Sequence, residues 1–304
     1  MSKGQGGTTQ MASDFSEETA TQAVIDSFAT TQDTRLRAVL ESLTKHLHGF
    51  VLDVEPTQRE WEAAIGFLTA VGHMSDDKRQ EFILLSDVLG VSMLVDSINN
   101  RKPVGATEST VLGPFHVMDS PVREIGEDIS SSNGSRCVVR GSVRTLDGAP
   151  IPAARVDIWQ ADDEGLYDVQ RPDAPDRDLR GLFTADDQGA FWFKTVPPRY
   201  YPIPDDGPVG ELLRVTGRHP YRPAHIHVIA GAAGFGPVTT HVFLAGSPYL
   251  DDDTVFGVKQ SLIRPVETVD DPTEADRYGL ENPFRAIDVE ITLAPAGAGR
   301  AAVV

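Results

Sequence analysis

One cysteine, Cys137, is all the chain has among 304 residues. No disulfide can form within it, and a reducing, cytoplasmic home is expected. Basic residues are scarce too: 27 Lys and Arg stand against 45 Asp and Glu, a formal net charge of -18. Nucleic acid and anionic membranes attract basic surfaces, so neither is expected as a partner. No apolar run approaches the roughly 18 residues of a membrane span. Residues 1–9 are rich in Gly and Thr without an apolar core, and do not read as a secretory signal. Neither a Rossmann nor a P-loop glycine motif is evident. Proline is nearly missing from the first third: of 21, only Pro56 precedes Pro103. That distribution predicts a helical first third and a loop-rich β remainder.

What is present is an ordinary globular composition, 40% hydrophobic and 24% charged, in a chain long enough for a sizeable core. The expected class is α+β. Residues 1–14 are expected to be disordered, 15–102 to form a helical block, 103–294 an antiparallel β-sandwich, and 295–304 a frayed tail. Leu36, Leu40, Leu43 and Leu47 form one helical stripe, and Trp61, Ile65 and Leu68 another. Both are read as core, with Phe50, Val51 and Leu52 leaving some apolar surface for a partner subunit. Thr57 and Glu60 form a capping box before the second stripe, and Ser75 is placed to cap the next helix. That helix carries Ile83, Leu84, Val88, Val91, Leu94 and Val95 and ends before Pro103. Strands are expected at 136–143, 155–160, 181–184, 190–194, 225–230, 239–244 and 286–293. Asp147-Gly148 makes a turn between the first two. Residues 186–189 read as the turn of a hairpin.

His225 and His227 lie two apart in an apolar strand, so both imidazoles point to one face. Such a pair is either half of a metal site or two polar residues on a solvent face. Its company decides. Val139-x-Gly141-x-Val143, Gly148, Ile151, Val156-Asp157-Ile158 and Gly165-Leu166-Tyr167 precede it. Tyr201-x-x-Pro204, an Asp-Gly-Pro turn, Gly217-Arg218-His219-Pro220 and Arg222-Pro-Ala-His-x-His follow in order. From about residue 15 to 294 the chain resembles the intradiol ring-cleaving dioxygenases. Five further stretches resemble the hydroxyquinol-cleaving branch: Leu84-x-x-Asp87, residues 111–115, Tyr201-Pro-Ile-Pro, Thr240-His-Val-Phe and Val255-Phe-Gly-Val.

The resemblance implies Fe(III) held by Tyr167, Tyr201, His225 and His227, with Tyr201 leaving as a base when substrate arrives. Ionising tyrosine at pH 7 costs about 4 kcal/mol without help, and a bound cation supplies that help. Zinc prefers Cys, His and carboxylates. An Fe(II) site would place an acid near the pair, where residues 228–234 have none. Arg222 is implied to stabilise negative charge on the ring, which requires a bend at Pro223. Asp87 would accept a hydrogen bond from a third ring hydroxyl. Leu84, Val111, Leu112, Gly113, Pro114, Phe115, Ile203, Pro204 and Val255 would wall the ring. His241 stands where catechol-cleaving relatives often carry an amide; it either supports the ligands or is a core histidine. His46, His48 and His73 read as surface or core. Also implied are O2 as co-substrate, maleylacetate as product, and a homodimer through the N-terminal helices, where a lipid-like tail can lie. The alternatives are the same chemistry on catechol or a substituted catechol, a zinc or Fe(II) His-x-His enzyme, and a non-catalytic binding module. Colour separates the classes: tyrosinate bound to Fe(III) is burgundy whichever diol is cleaved, whereas a zinc enzyme or a binding module is colourless.

Overall fold

Helices fill the proline-poor third and strands the rest, as the periodicities predict. The computed structural model describes residues 15–76, 79–171 and 174–298. The segment 1–14, expected to be disordered, and residues 299–304 of the expected tail lie outside them. The chain divides into two compact units between Thr69 and Ala70.

The first unit contains α1 (Ala20–Ser27), α2 (Thr34–Val54) and most of α3 (Gln58–His73). Asp33 opens α2 by accepting from the Leu36 amide at 2.9 Å. The capping box forms: the Thr57 amide donates to Glu60 Oε2 at 2.8 Å, and the Glu60 amide to Thr57 Oγ1 at 3.3 Å. The apolar stripes differ from expectation. Leu36, Leu43, Leu47, Trp61, Ile65 and Leu68 are 44–53% exposed, so they are not core within this chain. Thr44 and Val71 are the buried residues of α2 and α3. Helical spacing shows which residues share a face and not what covers that face. His46 and His73 are exposed, and half-buried His48 meets Thr21 Oγ1 through Nδ1 at 3.0 Å.

In the second unit the helix expected across 83–95 is two, α4 (Glu81–Val88) and α5 (Val91–Asn99). Gly90, at φ 72, turns the chain between them. Ser75 does not cap α4; its hydroxyl donates to Val71 O at 3.0 Å and closes the end of α3. The Asp76 amide donates to Arg79 O, and α4 opens at Gln80. Buried Glu81 fixes α4 in place, pairing with Arg79 at 2.8 Å and accepting from the Val209 amide at 3.2 Å. These contacts tie α4 to the β part of the chain. α4 and α5 thus belong to the same compact unit as the strands.

The strands are β1 (Cys137–Thr145), β2 (Arg155–Gln160), β3 (Arg180–Thr184), β4 (Ala190–Thr195) and β5 (Tyr201–Pro202). After α6 (Pro208–Val215) come β6 (Tyr221–Arg222), β7 (His225–Gly231), β8 (Val238–Leu244), β9 (Ile263–Arg264) and β10 (Glu267–Val269). Then α7 (Pro272–Tyr278) and β11 (Phe284–Leu293) complete the order. One sheet runs β10-β11-β1-β4 and the other β3-β2-β7-β8-β9, with β5-β6 a separate ribbon. Pairing is antiparallel apart from β1–β11 and β8–β9, which are parallel.

The hairpin expected from 181–184 and 190–194 does not form, because β3 pairs with β2 and β4 with β1. The turn at 186–189 instead carries the chain across the sandwich. It sets Phe183 against Phe193 at 5.1 Å, in the core between the sheets. Likewise the Asp147-Gly148 turn links strands of different sheets. Local turn chemistry is the same for an arch and a hairpin; the core decides. Exposed residues 295–298 are tied to the loop before β8, with the Ala296 amide donating to Gly234 O at 3.0 Å.

Gly141 lies opposite Phe191 in the β1–β4 register, and a Cβ there would stand 2.0 Å from the Phe191 ring. Gly141→Ala is expected to destabilise by about 1–3 kcal/mol. A melting temperature that did not move would show that the ring swings aside. Among the described residues no helix is long and apolar enough to cross a membrane.

Candidate metal centre

The short ribbon β5–β6 and the central strand β7 bring the site together. Tyr201 pairs with Arg222 across the ribbon, and after Pro223-Ala224 the chain enters β7 with His225 and His227. This change of sheet is the bend that Arg222 needs. Tyr167 arrives on the loop after β2. Gly165, at φ 90, lets that loop close on the ribbon: a Cβ there would lie 2.8 Å from Tyr200 O and 3.2 Å from Tyr201 Cβ.

The four expected ligands converge and are all buried. His227 Nε2 lies 3.1 Å from Tyr167 OH and 3.2 Å from His225 Nε2. Tyr201 OH lies 3.4 Å from both Tyr167 OH and His225 Nε2. Donors about 2.0–2.1 Å from one ion stand apart by such distances. Pro223 O lies 2.7 Å from His225 Nδ1, which assigns the proton to Nδ1 and leaves Nε2 a free lone pair. Burial, then Arg222, pushes His225 well below the ordinary imidazole value; burial, then His225, does so for His227. Both are therefore neutral ligands. Burial and neighbouring Tyr201 push Tyr167 well above the ordinary phenol value, so it yields its proton only to a cation. The donor set fits a hard metal ion.

Rings hold the donors still. Trp159, opposite His227 in register, stacks on its imidazole at 4.5 Å and 10°. Phe115 stacks on Tyr167 at 4.3 Å. Arg180 fixes Phe115 by donating to its carbonyl at 2.8 Å while bonding Asp168, beside Tyr167. His241 faces His227 across β7–β8, ring centroids 4.2 Å apart. Nitrogens of His225, His227 and His241 all lie within 4.8 Å of one another. His241 Nδ1 meets Thr110 Oγ1, while its buried Nε2 has no hydrogen-bond partner among the described residues. Among the described residues no carboxylate joins this cluster.

Arg222 is buried, with Nη1 3.5 Å from His225 Nε2. Its counter-ion, Asp253, escapes sequence reasoning. Asp253 accepts from Arg222 Nε at 3.1 Å and Nη2 at 3.2 Å, and from the Gly257 amide at 3.0 Å. Burial opposes the charge of Arg222, but Asp253 and the tyrosines outweigh it and hold the guanidinium ionised. The available signal was the acidic run 251–253 just before Val255, since a buried arginine requires a carboxylate. Asp87 is half-buried near the end of α4. Burial raises its pKa, opposed by a hydrogen bond from Ser92 and by the charge of Arg222.

Among the expected wall residues, Leu84, Ile203 and Val255 are buried, and Val111, Gly113, Phe115 and Pro204 are half-buried. Gly113 touches the centre itself: a Cβ there would stand 2.9 Å from His227 Cε1. Leu112 and Pro114 are exposed beside it. A cleft of about 870 Å³ lined by Met74, Gly207 and Leu213 contains none of the four donors. Donor geometry, not cavity size, marks the site.

Residues 113–287 match the family described as dioxygenase, and residues 33–107 match the catechol dioxygenase N terminus. A hydroxyquinol 1,2-dioxygenase of Rhizobium sp. (strain MTP-10005) is 49% identical, over 92% of this chain and 96% of the relative. A 6-chlorohydroxyquinol 1,2-dioxygenase of Cupriavidus pinatubonensis is 49% identical over 82% of this chain and 91% of the relative. The solved hydroxyquinol 1,2-dioxygenase of Pseudomonas putida DLL-E4 superposes with a TM-score of 0.87 at 43% identity. That match covers 92% of this chain and 98% of the other.

Proposed function

This chain belongs to the intradiol ring-cleavage dioxygenases, a non-haem iron family, and we propose that it cleaves hydroxyquinol (1,2,4-trihydroxybenzene) with O2 to maleylacetate. The observation that carries the reading is the buried cage of Tyr167, Tyr201, His225 and His227. Fe(III) bound there supplies Lewis acidity that keeps phenols ionised and makes the diol ring reactive towards O2.

The side chains do the rest. The Tyr201 oxygen, a phenolate when the metal is bound, would take a proton from a substrate hydroxyl as the diol enters. Arg222, held by Asp253, offers a fixed cation to the oxyanion that develops on the ring. Asp87 accepts from the third hydroxyl, and Leu84, Ile203 and Val255 exclude water. The carbon–carbon bond between the two adjacent hydroxyls breaks, and both atoms of O2 enter the carboxylates. The ring supplies the electrons, so no external reductant is needed.

The half-exposed stripes of α2 and α3 support a homodimer through the helices up to residue 102, with a lipid-like tail lodged between them. Residues 103–294 carry the catalytic sandwich. The lone, buried Cys137 fits a cytoplasmic enzyme.

Oxygen uptake with hydroxyquinol, catechol, chlorocatechols and protocatechuate tests the substrate, with hydroxyquinol expected fastest. Asp87→Leu should lower relative kcat/KM for hydroxyquinol over catechol roughly ten- to hundredfold. Asp87→Asn should do less, since an amide oxygen still accepts. Both should keep their iron. An equal fall on the two substrates would remove Asp87 from the specificity argument.

A further inference from the structure

Arg218, in the loop between α6 and β6, joins backbones that carry two carboxylates of the site. Its Nη1 donates to Val88 O at 2.7 Å and its Nη2 to Thr254 O at 2.9 Å. Val88 follows Asp87, and Thr254 follows Asp253. One guanidinium thus sets the distance between the backbone bearing Asp87 and the backbone that anchors Arg222.

The end of α4 needs such a tie. The last carbonyls of a helix lack intrahelical donors, and a cation is favoured there. The helix has only 8 residues and stops at the Gly90 turn, so little of its own structure fixes Asp87. Phe256 closes the same junction. Its ring lies 5.2 Å below the Arg218 guanidinium and 3.4 Å from where a Cβ on Gly90 would stand. Phe256 holds φ 59, a left-handed conformation that side chains rarely adopt. Three segments distant in sequence therefore meet at Arg218.

We propose that Arg218 is a positioning residue for substrate selectivity, holding Asp87 at its place opposite Arg222 by bridging Val88 O and Thr254 O. This rests on Asp87 being the acceptor for the third hydroxyl. A substrate without that hydroxyl does not use Asp87 and is little affected by its placement. Selectivity, not overall activity, is what Arg218 governs.

The test is kcat/KM for hydroxyquinol and catechol with iron-loaded full-length enzyme and its Arg218→Met, Arg218→Lys, Asp87→Leu, Asp87→Leu/Arg218→Met and Arg214→Met variants. Arg218→Met is expected to lower the hydroxyquinol-over-catechol ratio roughly tenfold. Iron content and visible absorption should remain. Arg218→Lys should recover part of the ratio, because an ammonium reaches one carbonyl, and it serves alone if the methionine variant does not fold. Arg214, an exposed residue of α6 paired with Glu211, is the control and should leave the ratio unchanged. In Asp87→Leu, which has no acceptor left to position, adding Arg218→Met should lower the ratio little further. An equal fall on both substrates in the Arg218 variants overturns the proposal. A ratio moved by Asp87→Leu but not by Arg218 overturns positioning alone. A ratio moved by Arg218 but not by Asp87→Leu overturns Asp87 as its target. If neither moves it, the reading of Asp87 falls as well.

Discussion

Tyr167→Phe is expected to lose its iron and its colour while the β-sandwich stays folded. The phenol is fully buried, 3.1 Å from His227 Nε2 and 3.4 Å from Tyr201 OH, so removing its oxygen takes one side from the cage. Supporting partners of a ligand are commonly worth about 10–100-fold in metal affinity, and a ligand itself should exceed that. The ring remains and keeps its stack on Phe115, so the fold has little reason to fail. Iron per chain by elemental analysis, visible absorption and far-ultraviolet dichroism read the three expectations separately. Full iron content with an unchanged charge-transfer band would refute the ligand assignment. The raised phenol pKa adds a direction: metal binding must displace that proton, so iron affinity should weaken as pH falls.

Tyr201→Phe should behave differently, keeping more iron than His225→Ala yet turning over poorly. Its hydroxyl stands 3.4 Å from His225 Nε2, at the edge of a two-stranded ribbon, where a ligand can leave without disturbing a sheet. Loss of a positioned base typically lowers the rate about 10²–10⁴-fold, and that range is expected for kcat. Stopped-flow spectra should show slow, incomplete substrate binding. Normal binding spectra would end the idea that Tyr201 leaves as the base.

Much of this site was legible in order along the chain. His225 and His227 face one way because strand side chains alternate, a rule of two residues. Gly165 stood only within a motif, and its close approach to the Tyr200 backbone appears in the fold. Asp253 was not legible as the partner of Arg222, since 31 residues separate them and nothing local selects one acidic residue of 251–253. Arg218 was visible only as part of a motif. Its bonds go to carbonyls 130 and 36 residues away, which any residue supplies equally.

By itself, then, the sequence determined what acts over a few residues: helices against strands, the Thr57–Glu60 cap and the common face of the histidines. Only the tertiary structure decided which strands pair, that the 186–189 turn crosses between sheets, and that the stripes of α2 and α3 stay uncovered. The reason is range. Periodicity and turn chemistry fix local dihedral angles, whereas sheet partners, counter-ions and covered faces depend on which distant segments fill the same core. Phe183 meets Phe193 across the sandwich because both bury more surface there than side by side on one sheet.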